Sequence, residues 1–168
     1  MRDAQREALS LPNTAMAVTI DIGEAKNIHP KNKQEVGRRL ALAARALAYP
    51  EDIAPKDLGG EHAGPRYARH DVENGTIRLG FSNTSALRAR DYDPLRGFTI
   101  AGEDRVFRPA HVRIELKTIV VWHPQIKAPV AVRYAWADNP VANLINAAGL
   151  PASPFRTDDW PGVTAGKR

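Results

Sequence analysis

Cysteine is absent from the 168 residues. That excludes disulfides, thiolate metal sites and a cysteine nucleophile, but says little about compartment, because many exported bacterial proteins also lack disulfides. Long apolar runs are missing too, and nothing approaches the roughly 20 residues that a membrane helix needs. The start, Met1-Arg2-Asp3-Ala4-Gln5-Arg6-Glu7, is polar and charged, without the apolar stretch of a secretory signal. Acids are the scarcer charge, 19 against 24 basic residues, for a formal net charge of +5. The excess does not describe a nucleic-acid-binding face. Its arginines are scattered and often sit beside acids (Arg2-Asp3, Arg90-Asp91, Asp104-Arg105), with no dense basic run, zinc-finger spacing or aromatic RNA motif. What remains is 43% hydrophobic and 26% charged, enough for one ordinary globular domain or two small ones.

Arg2 to Leu9 is patterned as a short amphipathic helix, ended by Pro12. Ala15-Met16-Ala17-Val18-Thr19-Ile20 is a nearly unbroken apolar run, which suits a strand buried on both faces of a parallel sheet. Asp21 then falls at the carboxyl end of that strand, and Gly23 opens a loop to Pro30. The spacing of Asn32 and Glu35 is that of a capping box. After it, Val36, Leu40, Ala43, Ala44 and Leu47 recur on one helical face until Tyr49-Pro50. Helix, buried strand, loop and helix make one closing unit of an α/β layer. No further parallel strand comes after it to pair with, so its edges are left open.

The character changes between Pro50 and Pro65, the expected linker. Beyond it, Arg66–Asp71 and Thr76–Phe81 flank Glu73-Asn74-Gly75, a strong hairpin signal. Residues 98–101, 106–107, 112–116, 118–122 and 130–136 are further short runs rich in Val, Ile, Phe and Trp, the spacing of an antiparallel sandwich. Residues 138–168, with Pro140, Pro151, Pro154 and Pro161, are expected to be irregular and to wrap a surface.

His29 is the candidate for chemistry. It lies a short loop beyond a predicted strand, at the carboxyl edge where α/β sheets build their sites, and Pro30 and the capped helix fix the chain on its far side. A histidine so placed can take a proton from a hydroxyl nucleophile and return it to a leaving group. Locally the same residue also reads as a loop histidine satisfied by backbone or water.

Longer stretches carry more information. Leu11-Pro12-Asn13-Thr14-Ala15-Met16-Ala17-Val18-Thr19-Ile20-Asp21-Ile22-Gly23, continued by Ile28-His29-Pro30-Lys31-Asn32-Lys33-Gln34-Glu35-Val36-Gly37-Arg38-Arg39-Leu40, closely resembles the last catalytic block of the sialate O-acetylesterase family. The likeness continues through 97–102, 129–140 and 150–160, in order, over almost the whole chain. It implies an SGNH-type (flavodoxin-like) esterase layer, with His29 as the catalytic histidine. Related hydrolases place an aspartate three residues before that histidine. Here the position is Lys26, which cannot accept a hydrogen bond from the ring. Asp21, at the rigid strand end, is the substitute expected to orient His29, with Glu24 or a backbone carbonyl as alternatives; Asp21 reads equally as a cap or turn residue near Gly23. The family's serine lies in a Gly-Gln-Ser-Asn segment well before the histidine, whereas this chain has only Ser10, Ser82, Ser85 and Ser153. Gly80-Phe81-Ser82-Asn83 mimics the pattern, but it lies after the histidine and ends a hairpin strand, with no helix behind it to form an oxyanion hole.

His62, His70, His111 and His123 are dispersed and lack carboxylates at ligand spacing, so no metal site is expected. Trp122, Trp136 and Trp160 are candidates for sugar stacking or for packing. The expected architecture is therefore α/β plus β. A terminal SGNH-type helix–strand–helix piece spans residues 1–50, a linker 51–64, an antiparallel β-sandwich 65–140 and an irregular tail 141–168. The resemblance implies the carboxy-terminal part of an esterase acting on acetylated carbohydrate, without cofactor, nucleic acid or membrane. The partner in that case is the missing amino-terminal part of the esterase domain, and the chain alone is expected to be inactive. The family also implies a periplasmic or secreted setting. The alternative from a different class is a non-catalytic carbohydrate-binding or interaction sandwich.

Overall fold

Asn74 and Gly75 both adopt positive φ, 48° and 75°. Two such residues in succession form the turn that joins twisted strands without splaying them, and Asn and Gly tolerate it best. The structure, a computed structural model that describes residues 2–49, 61–162 and 165–166, accordingly contains the expected hairpin. Strand β1 (Arg66–Glu73) pairs antiparallel with β2 (Thr76–Ser82), Glu73 opposite Thr76. The expected linker falls mostly on residues 51–60, which lie outside the described residues.

The remaining strands are β3 (Leu87–Ala89), β4 (Phe98–Ala101), β5 (Arg108–Pro109), β6 (His111–Glu115), β7 (Thr118–Trp122), β8 (Ala131–Tyr134), β9 (Leu144–Asn146) and β10 (Phe155–Arg156). They form two four-stranded sheets, in orders β1-β2-β7-β6 and β10-β8-β4-β5, and a β3-β9 pair, with every pairing antiparallel. Alternation on each strand supplies the core. Ile77 and Leu79 of β2 and Ile119 and Val121 of β7 join Phe98 and Ile100 of β4 and Val132 and Tyr134 of β8 in one buried cluster.

Three expectations are corrected. Residues 106–107 form no strand. The ladder begins at Arg108, and Phe107 packs instead against Trp160, ring centroids 5.6 Å apart. The carboxy-terminal segment is not a surface wrap: it supplies β9 and β10, and Phe155 is fully buried, stacked on Tyr67 at 4.9 Å and on Tyr134 at 5.7 Å. Its prolines flank two- and three-residue strands rather than interrupt long ones. One further approach is backbone on backbone. A Cβ on Gly64 would lie 1.8 Å from the Pro151 carbonyl oxygen, so only glycine lets these segments meet.

The third correction concerns Ala15–Ile20. These residues are largely half-buried and carry no strand ladder. An apolar run becomes a strand only where neighbours supply its hydrogen bonds, and among the described residues none lies beside it. Helix α1 (Arg2–Glu7), extended by a 3₁₀ turn to Ser10, docks through charge. The Arg2 guanidinium donates to the carbonyls of Ala135, Ala137 and Asp138, and Asp3 pairs with Arg156 at 3.1 Å. Helix α2 spans Lys33–Ala48.

Candidate active site

The His29 loop is pinned at both ends. At its far end Asn32 caps α2, its side-chain oxygen accepting the Glu35 amide at 3.1 Å. Only half of the expected capping box forms. The Glu35 carboxylate turns to Arg38 (2.7 and 2.8 Å) and Arg39 (2.8 Å) instead of reaching back to Asn32. The hydrogen bond from Arg38 is the chief reason that Glu35 titrates low, at about 2; the Arg39 contacts add to it against the opposing effect of burial. Within the loop, Glu24 accepts the Lys31 amide at 2.9 Å and its backbone carbonyl accepts the Asn27 amide. Asn27 in turn accepts the His29 amide at 2.9 Å. The backbone around His29 is therefore ordered by local hydrogen bonds, while the residue itself is exposed to solvent.

At the near end stands Asp21, whose side chain is 3% exposed. Its two oxygens accept from Arg39 in a fork, at 2.6 and 2.7 Å, and one also meets Arg90 at 2.6 Å. Burial alone would raise the pKa of this carboxyl. The Arg39 hydrogen bonds and the charges of Arg90 and Arg39 outweigh it, and the group titrates below its ordinary value. Arg39 also donates to the Val18 carbonyl at 2.6 Å, which ties the start of the loop to the helix after it. Asp21 was expected to orient the imidazole. It is committed to two guanidinium groups instead, and no hydrogen bond joins it or Glu24 to the His29 ring among the described residues.

Arg90 follows β3 among the antiparallel strands, and its own loop is held firmly. Buried Asn143, before β9, accepts the Arg96 amide at 2.8 Å and donates to Asp91 at 2.8 Å and the Pro94 carbonyl at 3.2 Å. The Asn143 carbonyl accepts the Arg90 amide. A continuous polar path thus runs from the Asn143 backbone through Arg90 and Asp21 to the root of the His29 loop. Sequence reading missed Arg39, Arg90 and Asn143. The one available signal was an arginine pair, Arg38-Arg39, immediately before the apolar run Leu40–Ala44.

The remaining candidates have local partners. Ser82 makes a long contact, 3.4 Å, with the Arg66 carbonyl across the β1–β2 ladder. Ser85 binds buried Glu61 through both its amide and its hydroxyl. His70 bonds the Tyr67 hydroxyl at 2.7 Å, His111 stacks on Trp122, and His123 accepts the Gln125 amide. Among the described residues no group of three or more histidines and carboxylates converges as metal ligands would.

One helix face stands open. The structure buries Arg39, Leu42 and Ala43 of α2, whereas Leu40 and Leu47 are 52% and 45% exposed and Ala44 lies uncovered between them. Of the expected face, only Ala43 is buried and Val36 is half-buried.

No family model matches the chain. The chain is 31% identical to the sialate O-acetylesterase of Mus musculus over 156 residues, which cover 86% of this chain and 28% of that protein. It is likewise 31% identical to the Homo sapiens sialate O-acetylesterase over 169 residues, 90% of this chain and 31% of that protein. Among solved structures, a carbohydrate acetylesterase from Xanthomonas citri superposes with a TM-score of 0.87 at 46% identity, covering 94% of this chain and 35% of that one. The chain therefore spans about a third of the length of the proteins it matches.

Proposed function

Because this chain belongs to the sialate O-acetylesterase family, we propose that it forms the carboxy-terminal part of an esterase that removes acetyl groups from carbohydrate hydroxyls. It contributes His29 as the proton-transfer group. The observation that carries this reading is the exposed His29 on a loop fixed at both roots, by the Asp21–Arg39 fork and the Asn32 cap. A catalytic base needs that combination of fixed backbone and accessible ring.

The nucleophilic serine and its oxyanion hole belong to a part of the esterase outside this chain. The serine hydroxyl attacks the acetyl carbonyl while His29 takes its proton. His29 then gives that proton to the departing sugar oxygen, leaving an acetyl-serine. Water attacks the acetyl-serine, with His29 again accepting and returning a proton, and acetate leaves. Asp21 acts as a positioning residue for the loop rather than as the partner of the imidazole. The exposed Leu40–Ala44–Leu47 stripe and the unladdered 15–20 run are the surfaces that the rest of an SGNH-type layer would cover, α2 lying between that layer and the sandwich.

The test is acetate release from an acetylated oligosaccharide. The chain alone leaves hydrolysis at background. Joined to the portion of the Xanthomonas citri acetylesterase that it does not match, it releases acetate. His29→Ala in that chimera lowers kcat by about 10³-fold or more. A folded chimera whose turnover survives His29→Ala refutes the role of His29. Turnover by the chain alone that disappears in His29→Ala refutes the outside serine.

A further inference from the structure

A concave site of about 370 Å³ opens on the sandwich between the β4–β5 turn and the segment after β10, lined by Glu103, Arg105, Val130, Thr157, Asp159 and Trp160, with Asp158 at its floor. Its floor and its rim differ in chemistry. The floor is closed: Asp158, 1% exposed, accepts a bidentate fork from Arg133 at 2.7 and 2.8 Å, and Arg133 lies over the Phe107 ring at 4.1 Å. The rim is open. Glu103 and Asp159 are exposed, and among the described residues neither carboxylate has a hydrogen-bond or ion-pair partner. The Thr157 hydroxyl accepts the Val132 amide at 2.9 Å, which leaves its own proton to donate.

Trp160 supplies an indole at this rim, steadied from one side by Phe107. Arg105 lies over the ring, 5.2 Å from its centroid, with no hydrogen bond among the described residues to hold the guanidinium there. Its backbone is in the left-handed region, φ 57°, its amide bonded to the Gly102 carbonyl. That conformation is disfavoured for a side chain with a Cβ, and such outliers cluster at ligand sites. The result is an exposed donor carried on a fixed root beside an aromatic plate. It can move aside or bond to whatever sits on the plate.

We propose that this rim is a glycan subsite that seats a neutral pyranose unit on Trp160, with Glu103 and Asp159 accepting from its hydroxyls and Arg105 and Thr157 donating. An aromatic plate ringed by unspent donors and acceptors matches the amphipathic faces of a sugar ring. The charge balance selects the sugar. Two free carboxylates against one guanidinium repel a carboxylate-bearing sugar and accept a neutral polyol. This deepens the carbohydrate-esterase reading and rests on it only for the class of polymer.

Tryptophan fluorescence of the chain, titrated with xylohexaose, cellohexaose and 3′-sialyllactose, tests the assignment. No hydrolysis is involved, so the outcome is independent of whether His29 is catalytic. A saturable change with at least one neutral oligosaccharide is expected, with Kd on the order of 1 mM. Trp160→Ala should abolish it and Trp122→Ala should preserve it. Heteronuclear NMR titration of Glu103→Gln and Asp159→Asn, exposed positions that leave the fold intact, should show at least about threefold weaker binding for each, about 0.7 kcal/mol or more apiece. No saturable response to either neutral oligosaccharide up to about 10 mM overturns the proposal. So does binding that Trp160→Ala, Glu103→Gln and Asp159→Asn all leave unchanged, or tighter binding of sialyllactose than of both neutral probes.

Discussion

Replacing Asp21 by Asn tests the anchoring of the His29 loop, because the substitution keeps the shape of the side chain and removes only its charge. The carboxylate is 3% exposed and the facing Arg39 side chain 6%. Removing one partner of a buried pair leaves an uncompensated charge and costs about 3–5 kcal/mol. Arg39 keeps Glu35 and the Val18 carbonyl, so the lower end applies, roughly 3 kcal/mol. For a domain of this size each kcal/mol moves Tm by about 2–4 °C, which gives an expected fall of about 6–12 °C at pH 7.

The same substitution has a pH signature. The folded-state pKa of Asp21 lies below the ordinary 3.8. The stabilisation is therefore fully present above that ordinary value and is lost as pH falls through the folded pKa. Thermal melts of wild type and Asp21→Asn should stay a constant distance apart between about pH 5 and 8 and should converge below about pH 4. A fall smaller than about 2 °C at pH 7, or a gap that does not narrow in acid, would refute the buried fork as the anchor.

Two further substitutions probe the antiparallel sheets. The Tyr134 hydroxyl, pushed well above its ordinary pKa chiefly by burial, accepts the Leu144 amide at 3.0 Å. Tyr134→Phe leaves that buried amide without a partner and should lower stability by about 1–3 kcal/mol in urea unfolding, with the m-value unchanged; a neutral result would mean that water replaces the bond. Gly64→Ala puts a methyl group against the Pro151 carbonyl and should cost about 3 kcal/mol or more, seen as a lower urea midpoint; wild-type stability would show that the two segments can separate freely.

The legible parts of the fold are those whose cause is local. Asn74-Gly75 dictates its turn through the φ values of two adjacent residues, and β7, Thr118–Trp122, matches its apolar run to the residue. Strand β10 is different in kind. Two residues, Phe155 and Arg156, become a strand only because Tyr134 and Arg133 face them from β8, and nothing within the segment announces it. The prolines around it pointed to irregular chain, while Phe155 became a centre of the core. Val106–Phe107 failed for a related reason. The β-propensity was present, but Phe107 gains more by packing under Trp160 and Arg133 than by pairing.

Around His29, local hydrogen bonding was legible and partnership was not. His29 and the Asn32 cap are set by a few adjacent residues, whereas the neighbours of Asp21 come from 18 and 69 positions away, at Arg39 and Arg90. Helix α2 shows the same division within one element. Its expected stripe of Val36, Leu40, Ala43, Ala44 and Leu47 is apolar, yet this chain fully buries only Ala43 of it, together with Leu42 and with Arg39, which reaches Asp21. A helix apolar on two sides is a helix made to be covered on two sides. On the proposed reading the second cover is the layer that carries the serine, and packing that layer against Leu40 and Leu47 is what would bring the nucleophile to His29. The open stripe and the exposed histidine then have one cause, and substituting Leu40 would disturb assembly of the site without touching its chemistry.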